Sequence, residues 1–297
     1  MNDINQQEKV AFNIVGIYHG GCIDGTTSAA ILLKRFKDIQ VFPLSHGYSQ
    51  EDIDLISTNI SPDINNTFIY TLDCALGAQH FLDLGYKVIT LDHHITDKEV
   101  YEEVAQKNSR FTYIFDITKS GSSLAWSYFF PNSEIPRVVS LVEDGDLWIW
   151  KYGDESKNLL SYLSMLRNKP EEILPLLDGI PHDATLAGNT IGHYIGTIID
   201  QYTNKAKSLV LNIGNYKALV YNITDFQSDC GHILSEKTGS AVGLFGIKGD
   251  EVRFSFRSTD TNMPSALDLA TILGGGGHRN SAGAKMKLKD FILSLEL

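Results

Sequence analysis

Short apolar runs and stretches with helically spaced apolar positions alternate along the first 120 residues. The runs "VAFNIVGIYH" (10–19), "QVFPLSH" (40–46), "TFIYTLDCA" (67–75), "YKVITLDHH" (86–94) and "RFTYIFDI" (110–117) each predict a strand. Between the first two, Ala29, Ala30, Leu33 and Phe36 of "TTSAAILLKRF" predict a helix. Strands too apolar to face water, separated by helices, predict a parallel sheet covered on both faces. From about 120 to 180 the pattern is helical, in "SGSSLAWSYFF", "PRVVSLVEDGDLWIW" and "SKNLLSYLSMLRN". Residues 184–211 predict one long amphipathic helix, a bridge between domains. Beyond it, "YKALVYNI" predicts a strand, and "AVGLFGI" with "VRFSFRS" predicts a hairpin around Gly249-Asp250. "SALDLATIL" predicts a short helix, "GGGGHRNSAGA" a glycine-rich loop and "KLKDFILSL" a closing helix. The expectation is an α/β chain: an N-terminal parallel-sheet domain over 1–183, a linker helix over 184–211, and a smaller α/β domain over 212–297.

Composition narrows this picture. The 297 residues are 43% hydrophobic and 21% charged, which is ordinary for globular domains. No segment approaches the roughly 18 apolar residues of a spanning helix. The opening "MNDINQQEKVAFNIVG" is polar and acidic where a leader peptide would be basic and then apolar, so a cytoplasmic location is expected, with no membrane partner. Cys22, Cys74 and Cys230 are too few and too scattered for a disulfide framework. A net charge of −11 disfavours long duplex nucleic acid, whose binding relies on Lys and Arg replacing counterions. A short anionic substrate held through bound cations is compatible with that charge.

The polar residues at the ends of the predicted strands carry the chemistry. Ligands of open parallel sheets bind beyond the carboxyl ends of the strands. His19 and Asp24 follow the first strand, Asp73 the third, and Asp92, His93 and His94 the fourth. Each has an ordinary alternative: a hydrogen-bonded structural histidine, a helix cap for Asp73, a polar loop for "DHH". Convergence from three strands favours a metal site, and mixed oxygen and imidazole donors suit manganese, zinc or iron better than calcium. Asp144 and Asp146 interrupt an apolar helical stretch and read either as a further ligand position or as a solvated loop. Near the end, four glycines directly before His278 and Arg279 would let backbone N–H groups approach an anion, or form a flexible turn.

The ordered set "HGGCIDG", "LDCA", "LDHH", "VEDGD" and "GGGGHRNSAG" resembles the DHH phosphoesterase superfamily with its associated C-terminal substrate domain, across nearly the whole chain. The resemblance implies two divalent metal ions, manganese foremost, with magnesium, zinc and ferrous iron as alternatives. It implies that His19 binds one ion, Asp24 the other, and that Asp73 bridges them. His93 would be the ligand from the DHH triplet, Asp92 its supporting partner, and His94 the group facing the scissile phosphate. Asp144 is the expected last ligand, with Asp146 as an outer candidate. Arg257, Gly275, Gly276, Gly277, His278 and Arg279 would cradle the substrate's terminal nucleotide.

Cys22 departs from the pattern, because many members carry an aspartate at about this place. A thiolate there would favour a softer ion, a thiol would weaken the site, and a buried structural role is the third reading. The implied activity is metal-dependent hydrolysis of short single-stranded oligonucleotides, dinucleotides or small nucleotides to mononucleotides, as in the oligoribonucleases of the superfamily; a homodimer is compatible. The alternatives are a nucleotide-binding sensor on a degenerate scaffold and a phosphomonoesterase.

Overall fold

A computed structural model describes residues 12–296. Most of the polar opening segment, with the first residues of the 10–19 run, lies outside the described residues, as does residue 297. The chain divides into two compact units, Met1–Gly192 and His193–Leu297. No helix among the described residues is long and apolar enough to cross a membrane.

The first unit contains β1 (Asn13–His19), α1 (Ile23–Arg35), β2 (Gln40–Leu44), α2 (Gln50–Thr58), β3 (Thr67–Leu72), α3 (Ala78–Asp83) and β4 (Lys87–Asp92). There follow α4 (Lys98–Lys107), β5 (Phe111–Phe115), α5 (Gly121–Phe129), α6 (Arg137–Asp146), α7 (Asp154–Leu163) and α8 (Pro170–Ile173). Its five strands form one sheet in the order β2-β1-β3-β4-β5, every neighbouring pair parallel. Successive side chains point to opposite faces, so each central strand feeds two cores. Tyr18, Leu72 and Leu91 pack with α1, α5 and α6 through Leu32, Ala125 and Leu141. Val15, Ile17, Ile69 and Val88 pack on the other face with Ile53, Phe81 and Tyr101. With both faces covered, the carboxyl edge of the sheet is where polar groups can gather.

The helix α9 (His182–Lys205) runs across the division between the units. It is shorter than the helix expected over 184–211. Its helical spacing stops at Lys205, and "SLVLNI" takes up a strand alternation with Leu211 and Ile213 buried, giving β6 (Ser208–Ile213). The second unit continues with β7 (Tyr216–Asn222), α10 (Gln227–Thr238), β8 (Val242–Lys248), β9 (Glu251–Arg257) and α11 (Ala266–Ile272). It ends with β10 (Gly276–His278), β11 (Ser281–Lys287), α12 (Leu288–Ser294) and β12 (Leu295–Glu296). Its seven strands lie in the order β10-β11-β9-β8-β7-β6-β12, and only β7 and β8 pair parallel. Phe245, Phe254, Phe256 and Phe291 dominate its core. The glycine-rich segment expected as a loop is instead the β10–β11 hairpin.

Leu72 is fully buried in the larger core and directly precedes Asp73. Leu72→Ala is expected to lower stability by about 2–5 kcal/mol, since a cavity remains where the side chain was. Urea titration followed by circular dichroism measures it.

Candidate metal centre

Three tight turns at the carboxyl edge of the first sheet deliver the functional side chains. The β1–α1 turn carries His19, Cys22 and Asp24 within six positions. It is closely folded: a Cβ on Gly25 would lie 2.4 Å from the His19 carbonyl oxygen, and Gly21 has φ +76°. The Gly20 N–H donates to the Leu44 carbonyl at 2.9 Å, and the Gly21 N–H donates to Asn168 Oδ1 at 2.7 Å. Asp73 follows β3 with φ +59°, a left-handed conformation that costs a non-glycine residue on the order of 1 kcal/mol. Its N–H donates to the Leu91 carbonyl at 2.8 Å, which ties this turn to β4 and the Asp92-His93-His94 segment.

These turns bring overlapping donor sets together around Asp73, one of them with Asp92, His93 and His94 and two others described next. One atom each from His19, Cys22 and Asp73 lie within 4.8 Å of one another, and so do one atom each from Asp24, His93 and Asp146. Asp73 faces both sets: Oδ2 is 3.3 Å from His19 Nδ1, and Oδ1 is 3.3 Å from His93 Nε2. His93 Nε2 is also 3.5 Å from Asp146 Oδ2. The start of α5 closes the floor. The Ser122 N–H donates to Asp24 Oδ1 at 3.0 Å, and a Cβ on Gly121 would come within 2.9 Å of both Asp24 Oδ2 and Asp73 Oδ1. Asp24 Oδ2 is buried without a hydrogen-bond partner, and Asp73 Oδ1, equally buried, has the His93 ring nitrogen 3.3 Å away. Buried acceptors rarely go unsatisfied, and converging carboxylate oxygens of this kind fit a cation.

The electrostatics agree. Burial and the neighbouring Asp73 charge raise the Asp24 carboxyl to about 6. Burial, then the charges of Asp24 and Asp73, push Asp146 well above the usual carboxylate range. Burial also works against ionisation of Asp73, yet hydrogen bonding to His19 and His93 overrides it and holds that carboxyl well below its ordinary value. Burial and the Asp73, Asp146 and Asp24 charges push the Cys22 thiol far up. Three carboxylates and a thiol therefore crowd a space in which their anionic forms repel, and cations would relieve that repulsion.

Asp92 has a donor atom within 4.8 Å of donors from Asp73, His93 and His94, but its oxygens are already hydrogen-bonded. Its Oδ1 accepts from the His93 N–H and from His94 Nδ1, both at 2.7 Å, and its Oδ2 accepts from the Tyr101 hydroxyl. It thereby fixes the His94 ring and the backbone at His93, rather than the His93 ring that the resemblance gave it to support. The His94 ring lies 6.0 Å from His19 and 4.6 Å from His93 between centroids, and is partly exposed. Burial lowers its pKa, but the Asp92 hydrogen bond and the Asp73 charge prevail and raise it to about 9.

Asp146, rather than the expected Asp144, joins the cluster. The Asp144 carboxylate is occupied: Oδ1 accepts from the Lys151 N–H at 2.7 Å, and Oδ2 from the Tyr152 N–H at 3.0 Å and the Ser156 hydroxyl at 2.5 Å. Its carbonyl accepts from the N–H groups of Ile149 and Trp150. Asp144 thus pins the turn between α6 and α7, where Trp148 and Trp150 both have positive φ, and that turn begins just after Asp146.

In the second unit, the Arg257 guanidinium donates to Ser255 Oγ, the Phe256 carbonyl and Ser228 Oγ. Burial lowers its pKa to about 10, opposed by the Asp229 charge, so it stays cationic at neutral pH. Gly231 of α10 makes room for it, because a Cβ there would lie 2.6 Å from Arg257 Cγ. Arg279, expected beside a substrate, holds the chain instead: it donates to the carbonyls of Asp260 and Asn262. Two of the glycines also serve the hairpin. A Cβ on Gly275 would meet the Gly283 carbonyl at 2.0 Å, and one on Gly277 the Ser281 carbonyl at 2.6 Å, whereas Gly276 faces open space. His278 is exposed on β10.

Sequence reasoning passed over His46, whose ring lies 5.2 Å from His19. "PLSHG" at the end of β2 carries the same strand-end signal as His19 and Asp73. It also passed over Gly121 and Asn168, which shape the site through the backbone and give no chemical signal.

No family model matches the chain. An uncharacterized protein of Acanthamoeba polyphaga mimivirus is 27% identical over 287 residues, covering 91% of this chain, and the chain spans 66% of that relative's length. Among solved structures, RecJ from Thermus thermophilus in complex with Mn2+ superposes with a TM-score of 0.53 at 15% identity, over 94% of this chain and 50% of that one. CDC45 from Entamoeba histolytica superposes with a TM-score of 0.51 at 9% identity, over 95% and 94%. At these identities the likeness is one of fold.

The two neighbouring aspartates are expected to part company on mutation. Asp144→Ala strands two N–H groups and a hydroxyl and should cost about 1–3 kcal/mol of stability. Asp146→Asn should raise the melting temperature of the metal-free protein, by removing like charge, and abolish most of the stabilisation gained from added manganese. Thermal unfolding with and without the metal reads both.

Proposed function

We propose that this protein is a metal-dependent phosphodiesterase that hydrolyses short oligonucleotides or dinucleotides to mononucleotides. The observation that carries the reading is Asp73, a buried carboxylate whose two oxygens face two separate donor sets. His19, Cys22 and Asp73 would hold one divalent ion, and Asp24, His93 and Asp146, with Asp73, the other. Such a pair, when bound, supplies a water of lowered pKa and neutralises charge on the non-bridging phosphate oxygens. The fold shared with a manganese-bound RecJ supports manganese as one of the ions.

The chain's own residues do the rest. Asp92 fixes the His94 ring through Nδ1, which supports a role for Nε2 in proton exchange with the leaving oxygen. The covered sheet faces and the floor made by Gly121 and Ser122 limit water behind the cluster. In the second unit, Arg257 is the proposed contact for a substrate phosphate, with Gly276 and His278 beside β11 as the accessible part of the hairpin. A net charge of −11 favours short substrates, because long strands need a basic track along the backbone.

The rival reading is a nucleotide-binding protein with a weakened first metal position, and Cys22 is the observation that favours it. Incubation with manganese and 5'-labelled di- to pentanucleotides separates the two. The enzyme reading predicts mononucleotide products that fall to background in Asp73→Ala and His93→Ala. Tight nucleotide binding by calorimetry, with no product from oligonucleotides, cyclic dinucleotides or phosphoadenosine phosphate under several metals, would establish the rival.

A further inference from the structure

The two donor sets around Asp73 are chemically unequal. His19, Cys22 and Asp73 offer one nitrogen, one sulfur and one oxygen; Asp24, His93 and Asp146 offer one nitrogen and two oxygens. Cys22 is the residue preceding α1, and its side chain makes no capping hydrogen bond to the helix. It is also partly exposed, unlike Cys74 and Cys230, which are buried in the two units. The backbone that carries it is held by its own hydrogen bonds. Asn168 accepts from the N–H of Gly21 and donates its own N–H to Thr26 Oγ1, while Thr26 donates from its backbone N–H and hydroxyl to the Cys22 carbonyl. The turn is thus braced on both sides of Cys22 by bonds that do not use the sulfur.

Ligand softness then decides which ion each set prefers. Thiolate selects zinc or another soft or borderline ion, and a site of three protein ligands with an open position is the usual form of a catalytic zinc site. Two carboxylates and an imidazole suit manganese or magnesium. From this inequality we propose that the centre is a mixed-metal pair: zinc or ferrous iron on His19, Cys22 and Asp73, and manganese or magnesium on Asp24, His93 and Asp146, with Cys22 ligating as a thiolate. Binding releases the thiol proton to solvent as the sulfur–metal bond forms, with no change of oxidation state. The proposal rests on the two-ion reading above and specifies it.

Full-length protein stripped of metal and reconstituted with equal zinc and manganese, then passed through a desalting column, is expected to retain one zinc and one manganese per chain by elemental analysis. X-ray absorption at the zinc edge should show one sulfur neighbour at about 2.3 Å. Cobalt added in place of zinc should give a sulfur-to-cobalt charge-transfer band in the near ultraviolet that is absent from Cys22→Ser and Cys22→Asp. In Cys22→Asp the preference for zinc over manganese at this position should fall by about tenfold or more. Zinc with nitrogen and oxygen neighbours only, two manganese ions retained from the mixture, or a cobalt band that persists in Cys22→Ser would overturn the proposal. The absorption measurement on the unmutated chain needs no variant to fold. Oligonucleotide hydrolysis is scored on the same preparations. A sulfur-ligated zinc without turnover upholds the mixed pair and removes the phosphodiesterase reading, and turnover with two manganese ions does the reverse.

Discussion

Everything at the carboxyl edge of the first sheet answers to one electrostatic constraint: Asp24 and Asp73 are buried side by side, with the more exposed Asp146 at their edge. Like charges so placed cannot all ionise without compensation. Two histidines supply part of it at Asp73, and the partnerless Asp24 Oδ2 marks where the rest is owed. The fold makes this arrangement tolerable by separating roles. Both sheet faces are apolar and closed, so stability comes from the flanking helices and from Leu72, Leu91 and their neighbours, while the edge is free to hold groups that destabilise one another.

Much of this was legible in the residues. Five strand runs appeared where the strands lie, because strands buried on both faces leave continuous apolar runs bounded by polar turns. His19, Asp24, Asp73 and His93 were identifiable as strand-end groups, since a parallel sheet fixes which end of each strand a following residue occupies. What local pattern could not decide was the choice between Asp144 and Asp146. The two aspartates are two apart in an acidic motif, and what separates them is the turn after α6. There the N–H groups of Lys151 and Tyr152 and the Ser156 hydroxyl converge on Asp144 alone. That convergence depends on backbone conformations at Trp148 and Trp150 that no periodicity announces.

The same limit explains the end of the chain. Four glycines and a His-Arg pair read as an open anion loop. In the folded hairpin, close approach to β11 accounts for Gly275 and Gly277, and Arg279 is spent on carbonyls of the neighbouring segment. The helix α9 ends at Lys205 rather than near residue 211 for a related reason. "SLVLNI" is compatible with either period, and only its pairing with β7 settles it.

The bond between His19 and Asp73 spans 54 residues, whereas His19, Cys22 and Asp24 lie within six. The centre is thus assembled from one local piece, present as soon as the β1–α1 turn forms, and pieces that arrive only when β3 and β4 have paired. Closing that long loop carries an entropy cost which local structure cannot offset. The donor cluster is consequently a reporter of sheet closure: a chain in which β1, β3 and β4 have not come together has two donors of one set, one of the other, and no Asp73 between them.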